Sequence, residues 1–285
     1  MNKSSKIVLF LILSLVFTSA CVGSKRSSDK YYRAGIRSKN NGEYGAAIDN
    51  FKKVIATAPR TQKARKALYE LGEVYKDTGE TKKAIRIFEA YIKLTKPSGS
   101  KRFEVLSKIG ELYYSKSSDY EKALKYYSEA NNYASSEREK FETLLNIANS
   151  YYKLYKFKEA TEFFDRSDRI GENIKDDKLI PRIQEAIYYT AFSYSVLSDQ
   201  MSDTSKNYTR VDPVGPAKRT IEILDKCIKY DENSKYGVLC RFEKAENLVQ
   251  MDEKDKALTI LMELRDAYPN RSVIESKIDK LEERK

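Results

Sequence analysis

Residues 65–97 read RKALYELGEVYKDTGETKKAIRIFEAYIKLTKP. Leu68, Leu71, Gly72 and Tyr75 fall three and four residues apart, which puts them on one stripe of a helix. Gly79 interrupts the pattern, and Ala84, Phe88 and Tyr91 then make a second stripe. Gly72 and Ala84 have almost no side chain, so each lets its helix press closely on another. Phe88 is large enough to fill the space between neighbouring hairpins. One such hairpin cannot bury its own apolar faces, so the stretch calls for copies of itself to stack on.

The copies are present at intervals of roughly 37 residues. The first holds Gly42, Glu43 and Tyr44, then Ala47, Ile48, Phe51, Val54 and Pro59. The third has Leu106, Ile109, Gly110, Tyr113, Ala123, Tyr127 and Ala130, and the fourth Leu144, Ile147, Ala148, Tyr151, Ala160 and Phe164. The fifth has Ile187, Ala191 and Tyr194, then an insertion, then Thr220, Leu224 and Cys227. The sixth has Ala245, Leu248, Ala257, Leu261, Leu264 and Pro269. It carries Arg241 and Lys244 where apolar residues are expected, so packing through Leu239 and Phe242 is predicted there instead.

This order of small and large residues resembles the tetratricopeptide repeat, over about residues 28–270. The period exceeds that repeat's 34 or so, so longer turns between hairpins are expected. The resemblance implies an all-α fold: a tetratricopeptide-type α-solenoid of about six helical hairpins. The array is read as 28–272, with repeats near 28–61, 65–97, 103–134, 141–171, 182–233 and 236–270. Residues 273–285 read as a capping helix. The ending Tyr268-Pro269-Asn270-Arg271-Ser272 also looks like repeats of BamD-type and CpoB-type bacterial envelope proteins.

The N-terminus reads as an export signal. Lys3 and Lys6 precede an apolar run, Ile7 to Phe17, followed by Thr18, Ser19, Ala20 and Cys21. The run is too short to span a membrane, which takes about 20 residues. Thr18-Ser19-Ala20-Cys21 resembles the lipobox of bacterial lipoproteins, although Thr18 stands where that motif prefers Leu. The resemblance implies removal of residues 1–20 and lipidation of Cys21, with residues 21–27 as a tether. Cleavage after Ala20 without lipidation is the other reading. Val22 is not the Asp that retains some lipoproteins on an inner membrane, so the expected location is the cell envelope, on the periplasmic face of an outer membrane.

Composition narrows the chemistry. There is no histidine and there are only three cysteines, Cys21, Cys227 and Cys240, so imidazole-based catalysis and four-sulfur metal sites are excluded. No glycine-rich phosphate loop is present. The expectation is a non-enzyme with no cofactor and no metal. The net charge of +11 comes from basic residues interleaved with acids. That pattern, together with export, argues against nucleic acid.

A protein partner is the expected ligand. In the tetratricopeptide repeat the first helix of each hairpin lines the concave wall. Carrying that pattern over gives groove residues Tyr32, Tyr69, Lys76, Tyr114, Tyr152, Tyr188 and Phe192, suited to an extended peptide or a helix. Residues 198–216, SDQMSDTSKNYTRVDPVGP, form the insertion in repeat five. It reads as either a functional loop, with Met201, Tyr208 and Val211 as apolar handles, or a disordered one. Cys227 and Cys240 fall near the end of one helix and the start of the next. They are either a disulfide or two buried thiols.

The resulting function is a membrane-anchored scaffold that binds a protein partner and serves assembly or maintenance of a cell-envelope complex. An accessory lipoprotein that holds a small molecule for a transporter is the alternative. Oligomeric state stays open.

Overall fold

A computed structural model describes residues 26–204 and 214–283. The export segment 1–20, Cys21, and the loop residues Tyr208 and Val211 lie outside the described residues. The helix α1 spans residues 26–40, so the last two residues assigned to the tether are helical. All regular structure among the described residues is helical. The chain divides into two compact units, one ending at Ser117 and one beginning at Ser118, so the division falls inside the third repeat.

In the first unit α1 is followed by α2 (Tyr44–Thr57), α3 (Gln62–Asp77), α4 (Thr81–Thr95) and α5 (Gly99–Glu111). A π-helical turn, Leu112–Lys116, closes it. Successive helices from α2 to α5 pack on one another. Gly72 does what its size suggests: a Cβ there would come within 2.6 Å of the Phe88 ring. Gly35 plays the same part toward Phe51, at 2.7 Å. Both phenylalanines are fully buried, and they fill space within their own hairpins and not only between hairpins.

The second unit holds α6 (Tyr120–Asn131), α7 (Glu137–Lys153), α8 (Phe157–Gly171), α9 (Ile180–Thr204) and α10 (Val214–Tyr230). It continues with α11 (Lys235–Gln250), α12 (Lys254–Leu264) and α13 (Arg271–Glu282). Each helix packs on the next, and α9 also touches α11. Ser136 and Glu139 form a reciprocal cap at the start of α7, which satisfies donors that the first turn leaves orphaned. Phe141, Leu145, Phe164, Ile183, Ile187 and Leu224 are central to one core. Val238, Leu248, Leu261, Ile274 and Leu281 belong to another, so α13 covers the last apolar face.

Among the described residues, five of the turns inside hairpins are built alike. Gly42, Gly79, Ser118, Tyr155 and Asp252 all adopt positive φ, between +50° and +76°. Two of the five are glycines, and in the other three the same left-handed step is taken by a residue with a Cβ.

Two expectations need correcting. The insertion is not a loop over all of 198–216, because α9 continues to Thr204 and α10 starts at Val214. Residues 198–204 contain neither Gly nor Pro, so nothing breaks the helix there. Pro216 sits in the first turn of α10, where its missing N–H costs no hydrogen bond. In the sixth repeat Phe242 packs against the core as expected, but Val238, Cys240, Ala245 and Leu248 are the residues that are buried, while Leu239 is only half-buried. Arg241 and Lys244 point to carboxylates instead, Glu263 and (at 2.6 Å) Asp225.

Candidate functional site

The first helices of the hairpins carry all seven predicted groove residues except Tyr114, which stands in the π-helical turn after α5. The two units treat them differently.

In the first unit Tyr32 and Tyr69 are occupied by the chain's own cations. The Tyr32 ring lies 6.0 Å from Phe51, and Lys63 Nζ stands 5.3 Å from its centroid. Lys63 also pairs with Asp29 at 2.8 Å. The Tyr69 hydroxyl donates to Glu104, and Lys101 Nζ sits 3.4 Å from the ring centroid. Lys101 pairs with Glu104 at 2.8 Å. Burial first, and then Glu104, pushes the Tyr69 phenol far up. Burial also acts to raise the Glu104 carboxyl, but hydrogen bonds from Lys101 and Tyr69 outweigh it and hold it below the usual range. Lys76 reaches Glu73 at 3.3 Å, and Lys108 reaches the same carboxylate at 3.2 Å. Lys39 joins α1 to Glu70 of α3 at 2.7 Å. This wall is a ladder of ion pairs between successive first helices.

The second unit brings three predicted residues into one aromatic cluster. Tyr152 of α7 lies 6.0 Å from Phe192 of α9, and Tyr188 lies 6.4 Å from Phe192, centroid to centroid. Tyr189 completes it, 4.9 Å from Tyr152 and 5.2 Å from Tyr188. Tyr236 of α11 stands 5.9 Å from Tyr188. Tilted and edge-on arrangements dominate, the geometry aromatic quadrupoles favour. Polar groups lie on the same helices: Asn149 donates to Glu185 at 3.0 Å, and Arg182 donates to Asn146 at 3.1 Å.

Glu243 of α11 belongs to this face, although it is not among the groove residues expected from the sequence. Burial, then the nearby Glu246 charge, raises its carboxyl to about 7. Its own charge acts on Tyr152, Tyr188 and Tyr268, whose phenols burial already pushes up. Periodicity alone could not find it. The available signal is its place on the first helix of the last repeat.

Behind the cluster, Cys227 of α10 and Cys240 of α11 are joined as a disulfide, with their Cα atoms 6.4 Å apart. The buried Gln184 of α9 donates to the carbonyls of Cys227 at 2.9 Å and Asp231 at 2.8 Å. Gly237 is required at the next turn, since a Cβ there would lie 2.0 Å from the Asp231 carbonyl oxygen. Elsewhere in this unit a cleft of about 690 Å³ is lined in part by Lys218, Lys244 and Lys256 with Ile221, Leu248 and Met251. That mixed, lysine-bearing lining differs from the closed apolar cavity that a solute-holding role calls for.

Comparison with known proteins fits this geometry. Residues 11–238 match the family model of the soluble NSF attachment protein, and residues 240–271 match a tetratricopeptide repeat. Among solved structures, the C-terminal part of a TPR repeat-containing protein from Cytophaga hutchinsonii is similar, with a TM-score of 0.61, 16% identity and 91% of each chain covered. YrrB, described as a TPR protein with an unusual peptide-binding site, gives 0.55 at 13% identity, over 80% of this chain and 96% of that one. PilF of Pseudomonas aeruginosa gives 0.52 at 16% identity, over 90% and 99%. At such identities the likeness is one of fold. No curated protein matches the chain.

Proposed function

The chain belongs to the soluble NSF attachment protein family, and from that footing we propose that it is a non-catalytic scaffold that binds a segment of a partner protein on the first-helix face of its second unit. The supporting observation is the gathering of Tyr152, Tyr188 and Phe192 into one half-buried aromatic patch. Tyrosine-rich patches of this kind supply large contact area at small entropic cost. A solved neighbour of the same fold, YrrB, is described as peptide-binding, which favours the same use here.

The same proposal places the protein in a bacterial cell envelope, held by a lipid on Cys21 at the periplasmic face of an outer membrane, where it serves assembly or maintenance of an envelope complex. Its support is the sequence Lys3 to Cys21 alone. Among the described residues no helix is long and apolar enough to cross a membrane. Feeding cells an alkyne-tagged fatty acid tests the anchor. The wild-type chain should take up the tag and Cys21→Ser should not; an untagged wild-type chain would end the anchored reading.

Photo-crosslinking in cells tests the binding face. A probe at Tyr152 should capture a single envelope protein, with Tyr208 as the comparison position. Capture from Tyr208 alone would move the site to the α9–α10 connection, and silence at both would remove the scaffold reading.

A further inference from the structure

The two units solve the same problem with different parts. In the first, Tyr69, Glu104 and Lys101 form a complete set: phenol, carboxylate, and an ammonium over the ring at 3.4 Å. Tyr32 likewise has Lys63 over its ring, and Lys63 has Asp29. In the second unit the phenols and the carboxylate are present at Tyr152, Tyr188 and Glu243. Among the described residues, however, no lysine or arginine stands over either ring, and Glu243 has no ion-pair partner. Lys277 of α13, the cation whose charge acts on Glu243, is bonded to Glu246 and lies 5.9 Å from the Phe242 ring. Two carboxylates therefore share one ammonium on this face.

We propose that the Tyr152–Tyr188–Glu243 face receives one lysine or arginine side chain from the partner segment, with the cation against the tyrosine rings and Glu243 as its counter-ion. The inference rests on the groove reading given under Proposed function and names the chemistry of its occupant. Charge complementarity carries it: a half-buried carboxylate among aromatic rings gains most from a cation that arrives already suited to stack, as guanidinium does. The groups that face Glu243 are Tyr152 from α7, Tyr188 from α9, Tyr268 after α12, Glu246 on α11 and Lys277 from α13. With its carboxyl near 7, Glu243 is only part-ionised at neutral pH, and a bound cation would complete the ionisation.

The test uses the full-length chain in mild detergent with ring-labelled tyrosine, read by NMR. Two probes are titrated: the blocked peptide Ac-Gly-Ala-Arg-Ala-Gly-amide, and its twin with citrulline in place of arginine. The arginine peptide should shift the Tyr152 and Tyr188 signals and bind at least about tenfold more tightly than the citrulline twin. Its affinity should rise about tenfold from pH 6 to pH 8 as Glu243 ionises. Glu243→Gln should erase both the preference and the pH step while melting no lower than wild type. Equal binding of the two peptides, or a preference that survives in Glu243→Gln, would overturn the proposal. If the Tyr152 probe captures its partner equally well in wild type and Glu243→Gln cells, the groove reading stands and the cation reading falls. If Tyr152 captures nothing, the groove reading itself has failed.

Discussion

The Ser234 hydroxyl donates to the side-chain carbonyl of Gln184 at 2.8 Å, across a sequence separation of 50 residues. Gln184 is fully buried, and its amide nitrogen donates to the Cys227 and Asp231 carbonyls. One side chain of α9 thereby satisfies the end of α10 and fixes the residue that caps α11 through Gly237 N–H. Replacing it strands several polar groups at once. Gln184→Ala should cost about 2–4 kcal/mol in denaturant unfolding, beyond what removing its side-chain volume explains. Gln184→Met, which keeps the volume, should recover little of it. Full recovery by Met would mean that packing, and not hydrogen bonding, matters here.

The Cys227–Cys240 bond closes a short loop around the same turn. In the chain-entropy model such a loop contributes about 3 kcal/mol. The protein should show no iodoacetamide-reactive thiol at either position before reduction. Reduction should lower its melting temperature, and the double Ser variant should melt like the reduced form. Two labelled thiols in unreduced protein would contradict this.

Glu243 sets a pH dependence whose sign follows from its raised carboxyl. Between the ordinary 4.5 and about 7 the folded chain keeps a proton that the unfolded chain has lost. Its stabilising contribution is complete below about 4.5 and is lost as pH rises through 7. Glu243→Gln stays neutral throughout, so it should match wild type at pH 4 and exceed it at pH 8 by about 3 kcal/mol at most. Urea unfolding at the two pH values measures the difference. A variant less stable at pH 8 would mean that the carboxylate already has a partner.

The left-handed turns allow a paired test. Gly42 has φ +76° and nothing within 4 Å of where a Cβ would stand, so Gly42→Ala isolates backbone strain and should cost about 1 kcal/mol. Ser118 has φ +50° with a Cβ in place. Ser118→Gly should gain about 0.5 kcal/mol, the relief of strain less the entropy that glycine adds to the unfolded chain. Opposite signs at these two positions would be the signature of a shared turn geometry.

Those turns also show what the sequence revealed and what it hid. Gly42 and Gly79 announce their turns, whereas Ser118, Tyr155 and Asp252 do the same work under side chains that give no signal. The Gly72–Phe88 contact follows from size and spacing, and so does the repeat architecture. Gly35 does the same job in the first copy, where the repeat pattern is plainest on the second helix. Groove positions could be assigned, but not their condition. That Tyr69 lies under Lys101 depends on how one hairpin stacks on the next, which is a property of three dimensions. Glu243 escaped for the same reason, because its neighbours Tyr152 and Tyr188 are distant in sequence. The stretch 198–204 is polar enough to suggest a loop, yet it holds neither Gly nor Pro and stays helical.

The ion-pair ladder of the first unit has a mechanical meaning. Its rungs, Asp29 with Lys63, Lys39 with Glu70 and Glu73 with Lys108, run between successive first helices and are part-exposed. Each contributes less than about 1 kcal/mol and weakens with salt, so together they tune geometry more than survival. The first unit therefore keeps its buried core at any ionic strength, while the spacing of its first helices loosens as salt screens these pairs. The second unit has ion pairs of its own, such as Lys226 with Glu172 and Lys244 with Asp225, and adds a buried carboxamide and a covalent tie, so it responds to reductant as well as to salt.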